Sequence, residues 1–238
     1  MRNKVAKLNR FGYTSQDSLY SNSEINTIIN CIETSDIGNN KSKFSDDLFA
    51  IRQLLKVVPE LKKTLFNNGL IQLLSNFFES NYFLTKAIYF DKPPNSNWFV
   101  AYHQDISISV NTKADIDKYS NWTLKKKAYG VHPPIDILKN TITIRIHLDD
   151  TTKGNGALKV IPYSHKNGII RKDSKHWKLE NEVICEIKKG GVMIMKPLLL
   201  HASGKTNNNQ RRRVIHLEFN SINLPKPIEW YEYEKMIK

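Results

Sequence analysis

The sequence has few cysteines and no long apolar run. Only Cys31 and Cys185 occur among 238 residues, and neither is spaced for a zinc site. This pattern predicts reduced thiols in a cytoplasmic protein and excludes a disulfide framework. No apolar run approaches the roughly 18 residues of a membrane-spanning helix, and the N-terminus lacks the apolar stretch of a secretory signal. We therefore expect neither a membrane partner nor secretion.

The sequence has fewer acidic than basic residues. The chain has 36 Lys and Arg against 23 Asp and Glu, a formal charge of +13. Such an excess is typical of proteins that bind nucleic acids or small anions. A nucleic-acid interface needs basic residues concentrated on one face and interleaved with aromatics, whereas here they are scattered along the chain. We expect no nucleic-acid partner, and an anionic small molecule remains compatible with the charge.

Apolar periodicity divides the chain into two parts. With 40% hydrophobic residues, the whole of residues 1–238 can form one domain with a sizeable core. Residues 1–80 are predicted to be mainly helical, because apolar residues recur at helical spacing from Ser23 to Ile32, from Asp46 to Val58 and from Leu61 to Phe78. A serine at the start of the first stretch suits the N-cap.

Residues 81–220 are rich in short strand patterns. Eight strands are predicted, near residues 82–90, 98–103, 141–148, 157–161, 183–187, 192–195, 198–203 and 212–219. Residues 91–97 are predicted to be a loop, and Lys189-Gly190-Gly191 indicates a tight hairpin. Helices followed by many short strands predict an α+β domain whose strands close into a sandwich or barrel.

Two His-x-Asp patterns are candidates for a metal site: His103-Gln-Asp105 and His147-Leu-Asp149. On a strand, residues two apart face the same side, so each pattern presents an imidazole and a carboxylate together. A third ligand, such as His201 at the end of a late apolar strand, completes the triad that holds Fe(II) and leaves positions open. Taken alone, either copy is more often a polar strand end than a metal site.

The strand count distinguishes the two copies. In a double-stranded β-helix, the His-x-Asp follows the second strand and the last histidine lies on the seventh. Four predicted strands separate Asp105 from the strand of His201, whereas three follow Asp149. The count favours His103, Asp105 and His201. Arg212 opens the next strand, where a guanidinium suits a carboxylate of 2-oxoglutarate.

Several segments in this order resemble the phytanoyl-CoA dioxygenase family of Fe(II)/2-oxoglutarate oxygenases. They are Asp91-Lys-Pro-Pro, Tyr102-His-Gln-Asp105, Asn155-Gly-Ala-Leu-Lys-Val-Ile-Pro-Tyr-Ser-His165, His201-Ala-Ser-Gly and the following Arg212. The resemblance covers roughly residues 81–220. It implies a double-stranded β-helix, a jelly-roll or cupin-like barrel, with the helices of residues 1–80 packed on its outside. Tyr163 departs from the glycine that the family usually has before Ser/Thr-His.

The resemblance also implies roles for particular residues. His103, Asp105 and His201 look like the iron ligands, and Arg212, assisted by Ser203, looks like the anchor of the 2-oxoglutarate 5-carboxylate. Further cofactor-binding candidates are Gln104, Arg145 and Ile88, and substrate-binding candidates are Lys86, Trp98, Tyr102 and His216.

Structural alternatives stand beside these roles. Lys86 either binds in the site or extends to solvent, and Arg145 either reaches the co-substrate or pairs with Asp149 or Asp150. His216 either lines the cavity or is a hydrogen-bonded core histidine, and Trp98 and Tyr102 either wall the cavity or fill the core. His165 and Asn155 are expected to order the loop after the fourth strand.

The implied function is hydroxylation of a C–H bond of a small anionic or zwitterionic molecule. Fe(II) would be the cofactor, with 2-oxoglutarate and O₂ as co-substrates and succinate and CO₂ as products. The alternative is a non-catalytic β-barrel that binds small molecules. An incomplete metal triad or the absence of the arginine would indicate this alternative, and the sequence shows neither.

Overall fold

The computed structural model describes residues 2–35, 41–45, 48–79, 81–125, 127–170 and 181–236, and for residues 2, 41–45 and 48 it describes the backbone alone. Its helices are α1 (Arg2–Phe11), α2 (Asn22–Thr34), α3 (Leu54–Val57), α4 (Leu61–Leu65), α5 (Asn68–Leu74) and α6 (Ile135–Asn140). The strands are β1 (Tyr13–Gln16), β2 (Lys41–Ser45), β3 (Leu48–Arg52), β4 (Phe83–Lys92), β5 (Val100–His103), β6 (Ile108–Val110), β7 (Ser120–Lys125), β8 (Ala128–His132), β9 (Ile142–His147), β10 (Leu158–Val160), β11 (Val183–Cys185), β12 (Val192–Met195), β13 (His201–Ser203), β14 (Arg212–Asn220) and β15 (Glu234–Lys235).

The strands form antiparallel sheets. The largest has the order β1-β12-β9-β14-β4-β3-β2, with β15 also paired to β4. A second sheet has the order β11-β10-β13-β5, and a third the order β6-β8-β7. From β4 to β14 the chain passes repeatedly between the two larger sheets. These sheets with their helices are consistent with a cupin-like fold.

Helices α1 to α5 pack on one face of the largest sheet. Ile144 and Ile146 of β9 and Leu217 of β14 are fully buried in one cluster with Ile25 of α2 and Leu70 of α5. Because neighbours along a strand point to opposite faces, the residues between them turn away from the helices. The residues on this second face, which points away from the helices, are largely polar. Among the described residues, no helix is long and apolar enough to cross a membrane.

Helix α2 begins two residues earlier than the sequence pattern indicates. Ser21 is its N-cap: the Glu24 backbone N–H donates to Ser21 Oγ at 3.2 Å, and the Ser21 N–H donates to Glu24 Oε2 at 2.8 Å. This reciprocal capping box satisfies two N–H groups that the first helical turn leaves open. Ser23 therefore lies inside the helix.

The prediction of a helix from Asp46 to Val58 is wrong over its first half. Residues 46–47 lie outside the described residues, but Leu48–Arg52 is strand β3, and only Leu54–Val57 is helical. Four apolar residues followed by Arg52 are too few to distinguish the two periods, and pairing with β4 decides in favour of the strand. Strands β1 to β3 therefore make residues 1–80 a mixed segment.

The turn at Gly190 is not the predicted hairpin, because β11 and β12 belong to different sheets. Gly190 has a φ of +81°, its carbonyl accepts from the Tyr20 N–H at 2.9 Å, and a Cβ there would clash with the Tyr20 carbonyl oxygen. A left-handed backbone conformation with this contact suits glycine alone.

Gly190→Ala is expected to lower the free energy of unfolding by about 1–3 kcal/mol, since a non-glycine residue there is strained. Chemical denaturation measures the change. Gly204→Ala is the matched control, because a Cβ at Gly204 meets nothing within 4 Å. Equal effects of the two substitutions would contradict the strain argument.

Candidate metal centre and adjoining cavities

Neighbouring strands of the second sheet bring the first His-x-Asp together with the late histidine. His103 on β5 lies directly opposite His201 on β13, and their ring centroids are 4.2 Å apart. Asp105 follows β5, and its backbone N–H donates to the Pro197 carbonyl oxygen at 2.9 Å. One ligand atom from each of His103, Asp105 and His201 lies within 4.8 Å of the others.

Backbone hydrogen bonds set the tautomer of both histidines. His103 Nδ1 lies 2.9 Å from the Ala101 carbonyl oxygen, and His201 Nδ1 lies 2.8 Å from that of Leu199. A carbonyl only accepts, so each Nδ1 carries the proton and each Nε2 presents a lone pair. These Nε2 atoms lie 3.8 and 3.7 Å from the Asp105 carboxylate oxygens. Those distances are too long for hydrogen bonds and leave room for a cation between the groups.

The donor set fits a divalent transition metal. Burial lowers the pKa of His201 to about 4, so the imidazole is neutral and able to ligate. Burial opposes ionisation of Asp105, but the surrounding basic groups, His201 first among them, lower its pKa to about 2. Asp105 Oδ2 is buried without a hydrogen-bond partner. A bound cation would satisfy that oxygen.

The second His-x-Asp, His147 and Asp149, has other hydrogen-bond partners and, among the described residues, no metal-binding geometry. His147 Nδ1 lies 2.7 Å from Thr151 Oγ1, and Asp149 accepts two hydrogen bonds from the Arg213 guanidinium, at 2.9 and 2.7 Å. Within the described ranges, neither residue joins a group of metal-binding geometry. His147 and Asp149 face different partners and do not form a site.

A second carboxylate–histidine group, Asp105 with His216 and Glu218, also has metal-binding spacing. Arg145 Nη1 lies 3.2 Å from His216 Nδ1, and His216 Nε2 lies 3.1 Å from Glu218 Oε1. Arginine only donates, so Nδ1 of His216 accepts and Nε2–H donates to Glu218. No nitrogen lone pair is left for a metal, which disfavours this group as a ligand set.

A cavity of about 120 Å³ adjoins the His103–Asp105–His201 group. Arg145, Ser203 and Arg212 line it, and Phe90 and Trp98 add aromatic walls. Arg212 Nη1 donates to the Gly156 carbonyl oxygen and lies 3.4 Å from Ser203 Oγ. Ser203 and Arg212 therefore meet at one end of this cavity.

The two arginines of this cavity are costly to bury. Burial lowers the pKa of Arg212 to about 9 and that of Arg145 to about 10, and in Arg212 the neighbouring Arg145 charge lowers it further. The Nε of each is buried without a hydrogen-bond partner. Two desolvated guanidinium groups that line one cavity would be stabilised by a bound anion.

A larger cavity of about 300 Å³ also adjoins this group, at Asp105. Phe90, Asp105 and His216 line both cavities, so both reach the candidate metal centre. Inside the larger one, Lys86 Nζ lies 2.7 Å from Glu218 Oε1. Lys86 thus has a buried ion pair, which decides against an extension to solvent.

The other predicted site residues are distributed between these cavities. Trp98 and His216 line the smaller one, whereas Gln104 and Ile88, expected beside the co-substrate, line the larger one. The Gln104 amide bonds Gly168 O, Leu198 O and Ile170 N at 2.6–2.8 Å, so it is used in holding loops. Tyr102 donates to Glu182 and lies on neither described wall.

The alternatives for Arg145, His165 and Asn155 are also decided by their contacts. Arg145 pairs with His216, because Asp149 and Asp150 are engaged by Arg213 and Lys188 instead. The Asn155 amide donates to Asp150 O at 2.7 Å and its carbonyl accepts from Thr152 N at 2.7 Å, while His165 contacts Asn9 O. Asn155 orders its own loop, and His165 ties its loop to α1.

The sequence alone does not identify Arg52 and Phe90 as residues of the larger cavity. The apolar pattern assigns Arg52 to a helix and leaves Phe90 among many strand aromatics, but both line the larger cavity. The alternation Phe49–Arg52 on β3 is the signal for Arg52, since it directs a charged residue to the side opposite the helices.

Antiparallel sheets that hold a His/Asp/His group beside a cavity with two buried arginines define a cupin-like protein with a candidate metal centre. The chain belongs to the phytanoyl-CoA dioxygenase (PhyH) family, whose model matches residues 8–214. No curated protein matches the sequence.

Solved structures share the fold at low sequence identity. HygX from Streptomyces hygroscopicus, solved with nickel, 2-oxoglutarate and hygromycin B, has a TM-score of 0.69 at 12% identity, over 98% of this chain and 90% of that one. SnoN, a non-heme α-ketoglutarate-dependent epimerase from nogalamycin biosynthesis, has 0.69 at 11%, over 93% and 83%. SnoK, a carbocyclase from the same biosynthesis, has 0.67 at 13%, over 94% and 85%.

Proposed function

We propose that the protein is an Fe(II)- and 2-oxoglutarate-dependent dioxygenase that hydroxylates a C–H bond of a small molecule. One observation carries the proposal: the His103–Asp105–His201 group opens directly onto a cavity that holds two buried arginines. A metal triad alone or an anion pocket alone occurs in many proteins. Their junction is what an enzyme that binds a metal and a dicarboxylate together requires.

The strand order supports a double-stranded β-helix within a single domain. Strands β4, β9, β12 and β14 lie side by side in the largest sheet, and β5, β10, β11 and β13 make up the second. These eight are the predicted strands, four in each sheet. The third sheet, β6-β8-β7, is an addition between β5 and β9.

Each group in the smaller cavity has a role in binding the co-substrate. His103, Asp105 and His201 would hold Fe(II), and the bound iron would supply the activation of O₂ and the oxidative decarboxylation of 2-oxoglutarate to succinate and CO₂. Arg212 and Ser203 bind the distal carboxylate. Arg145 adds positive charge on the same wall, and its contact with His216 holds the guanidinium in place.

Two of the three solved structures are named for a reaction other than hydroxylation. HygX was solved with nickel and 2-oxoglutarate, and SnoN and SnoK are an epimerase and a carbocyclase. Hydroxylation predicts that one atom of O₂ enters the product, whereas epimerisation and ring closure leave the product without it.

Protein reconstituted with Fe(II) is expected to form succinate from 2-oxoglutarate with ascorbate and O₂, at a rate raised by a substrate. Mass spectrometry with labelled dioxygen should find one labelled oxygen atom in the product. A chelator added before 2-oxoglutarate is the control and should abolish turnover. Binding of small molecules without any metal-dependent succinate would instead favour the non-catalytic β-barrel.

A further inference from the structure

A chain of hydrogen bonds joins the two cavities across strands β9, β14 and β4. Arg145 Nη1 lies 3.2 Å from His216 Nδ1, and His216 Nε2 lies 3.1 Å from Glu218 Oε1. Lys86 Nζ lies 2.7 Å from the same Glu218 oxygen. Arg145 lines the smaller cavity, whereas Glu218 and Lys86 line the larger one. His216 lines both cavities, so it is the link between them.

Strand register sets the order of this chain. Arg145 is directly opposite His216, and Lys86 is directly opposite Glu218. His216 and Glu218 are two residues apart on β14, so both side chains point to the same side of the sheet. The side chains of Glu218 and Lys86 are 6% and 15% exposed, and Arg145 and His216 are buried. Water therefore competes little for these hydrogen bonds, which are stronger in a buried site.

Only one arrangement of protons satisfies every hydrogen bond of the chain. An arginine N–H only donates, so His216 Nδ1 accepts from Arg145 and carries no proton. The ring proton is therefore on Nε2, which donates to Glu218 Oε1. The same oxygen accepts from the Lys86 ammonium, which has no lone pair of its own. Glu218 thus selects the tautomer of His216 that can receive Arg145.

The other tautomer of His216 would repel both of its neighbours. With the proton on Nδ1, two N–H donors would face each other across the 3.2 Å between His216 and Arg145. Nε2 would then present a lone pair to the Glu218 carboxylate. Without Glu218, the Nε2–H would be buried without its acceptor, which costs free energy in the tautomer that Arg145 needs. Removal of the Glu218 acceptor is therefore expected to loosen the contact between His216 and Arg145.

Phe90 gives Arg145 a second support. The guanidinium carbon lies 6.0 Å from the centre of the Phe90 ring. The His216 ring meets the same ring edge-on, with centroids 6.2 Å apart. One hydrogen bond alone would let the guanidinium turn about it, whereas an attractive contact with the ring limits that motion. Arg145 is held on two sides before an anion binds, which lowers the ordering cost of binding.

We propose that Glu218 is a positioning residue for 2-oxoglutarate and that Lys86 is its counter-ion. Glu218 acts through His216 on Arg145, whose positive charge faces the co-substrate. Lys86 neutralises the buried carboxylate, so Glu218 does not oppose the binding of an anion nearby. Lys86, a substrate-binding candidate from the sequence, is thereby assigned to the support of the co-substrate site. The inference rests on the proposed function, since it assigns the smaller cavity to 2-oxoglutarate.

Two neutral replacements of Glu218 separate its hydrogen bond from its charge. Glu218→Gln keeps an oxygen that accepts from His216, whereas Glu218→Met removes it, and both remove the same negative charge. Binding of 2-oxoglutarate to the Ni(II)-loaded proteins is measured by calorimetric titration. The Kd of Glu218→Met is expected to be about ten-fold or more above that of Glu218→Gln, the level at which a hydrogen bond to a charged group contributes. Equal Kd values for the two variants would overturn the inference.

The double variant Lys86→Met/Glu218→Met guards against misfolding, because Glu218→Met leaves a buried lysine without its partner. The double variant keeps the net charge of the unmodified protein. Its Kd for 2-oxoglutarate is expected to be about ten-fold or more above that of the unmodified protein. An unchanged Kd in the double variant would contradict a positioning role for Glu218.

Arg145→Leu tests whether Glu218 acts through Arg145. In the Arg145→Leu background, Glu218→Gln and Glu218→Met should bind 2-oxoglutarate equally, because the residue through which Glu218 acts is absent. A general loss of packing would weaken binding by the same factor in both backgrounds. A difference between the two replacements that persists without Arg145 would therefore reject the inference.

Nitrogen NMR of the Zn(II)-loaded protein with labelled histidine reports the tautomer of His216. The Nε2–H form is expected in the unmodified protein and in Glu218→Gln, and the Nδ1–H form should appear in Glu218→Met. Retention of the Nε2–H form alone in Glu218→Met would show that Glu218 does not select it.

Titration of the unmodified Ni(II)-loaded protein with 2-oxoglutarate tests the proposed function separately. Absence of binding would reject the proposed function and the inference together. Binding with equal Kd values for Glu218→Gln and Glu218→Met would reject the inference alone.

Discussion

His201→Ala is expected to abolish both iron binding and succinate formation. His201 is 3% exposed, its Nδ1–H is held by the Leu199 carbonyl, and its Nε2 faces the Asp105 carboxylate at 3.7 Å. Its loss leaves one imidazole and one carboxylate, of which His103 is partly exposed to water. Two ligands do not match the affinity of the facial set of three. Equilibrium dialysis with Fe(II) under anaerobic conditions measures the loss directly.

His147→Ala is the matched control for this prediction. His147 is the other buried histidine of a His-x-Asp and also has 3% exposure, but its Nδ1 is engaged by Thr151 Oγ1. The substitution should lower stability and leave one Fe(II) per folded chain. Metal binding that survives in His201→Ala and disappears in His147→Ala would show that the other copy is the metal centre.

The eight predicted strands all exist, because their apolar and branched residues are set by burial in two facing sheets. The pattern does not predict β1, β2, β3, β6, β7, β8 and β15. Strand β3 is a short, mostly apolar stretch that fits either period, β7 is mostly exposed, and β6 and β8 are only three and five residues long. The strand count that selects His103 and Asp105 therefore holds only for the strands of the two larger sheets.

The residues that strand pairing brings to the cavities could not be predicted from the sequence, because this pairing depends on cross-strand register. The ligand candidates come from a local motif, but the sequence does not predict that Ile88 and Gln104 line the larger cavity. Arg52 reaches the site only because β3 pairs with β4 at Ile88. Pairing between segments distant in the chain has no local signal, so such residues are found from the fold alone.

Three consecutive arginines offer a test of the co-substrate site with controls from the same strand. Alternation sends Arg212 to the side of the cavity and Arg211 and Arg213 to the side of the helices. Arg211 Nε donates to Asp91 Oδ1 at 2.8 Å, and Arg213 Nη2 donates to Asp149 Oδ1 at 2.7 Å. These ion pairs raise the pKa of both outer arginines, whereas burial lowers that of Arg212. Of the three, only the middle guanidinium is left for an anion in the cavity.

Arg212→Met is expected to weaken 2-oxoglutarate binding by about two to three orders of magnitude. Removing one partner of a buried ion pair costs about 3–5 kcal/mol, because the carboxylate is then desolvated without its counter-charge. Arg145 retains positive charge on the wall and keeps the loss toward the lower end of that range. Arg211→Met and Arg213→Met lose an outer ion pair and should bind 2-oxoglutarate as the unmodified protein does. Titration of the metal-loaded variants with 2-oxoglutarate compares all three, and unchanged affinity in a folded Arg212→Met protein would assign the co-substrate carboxylate to another residue.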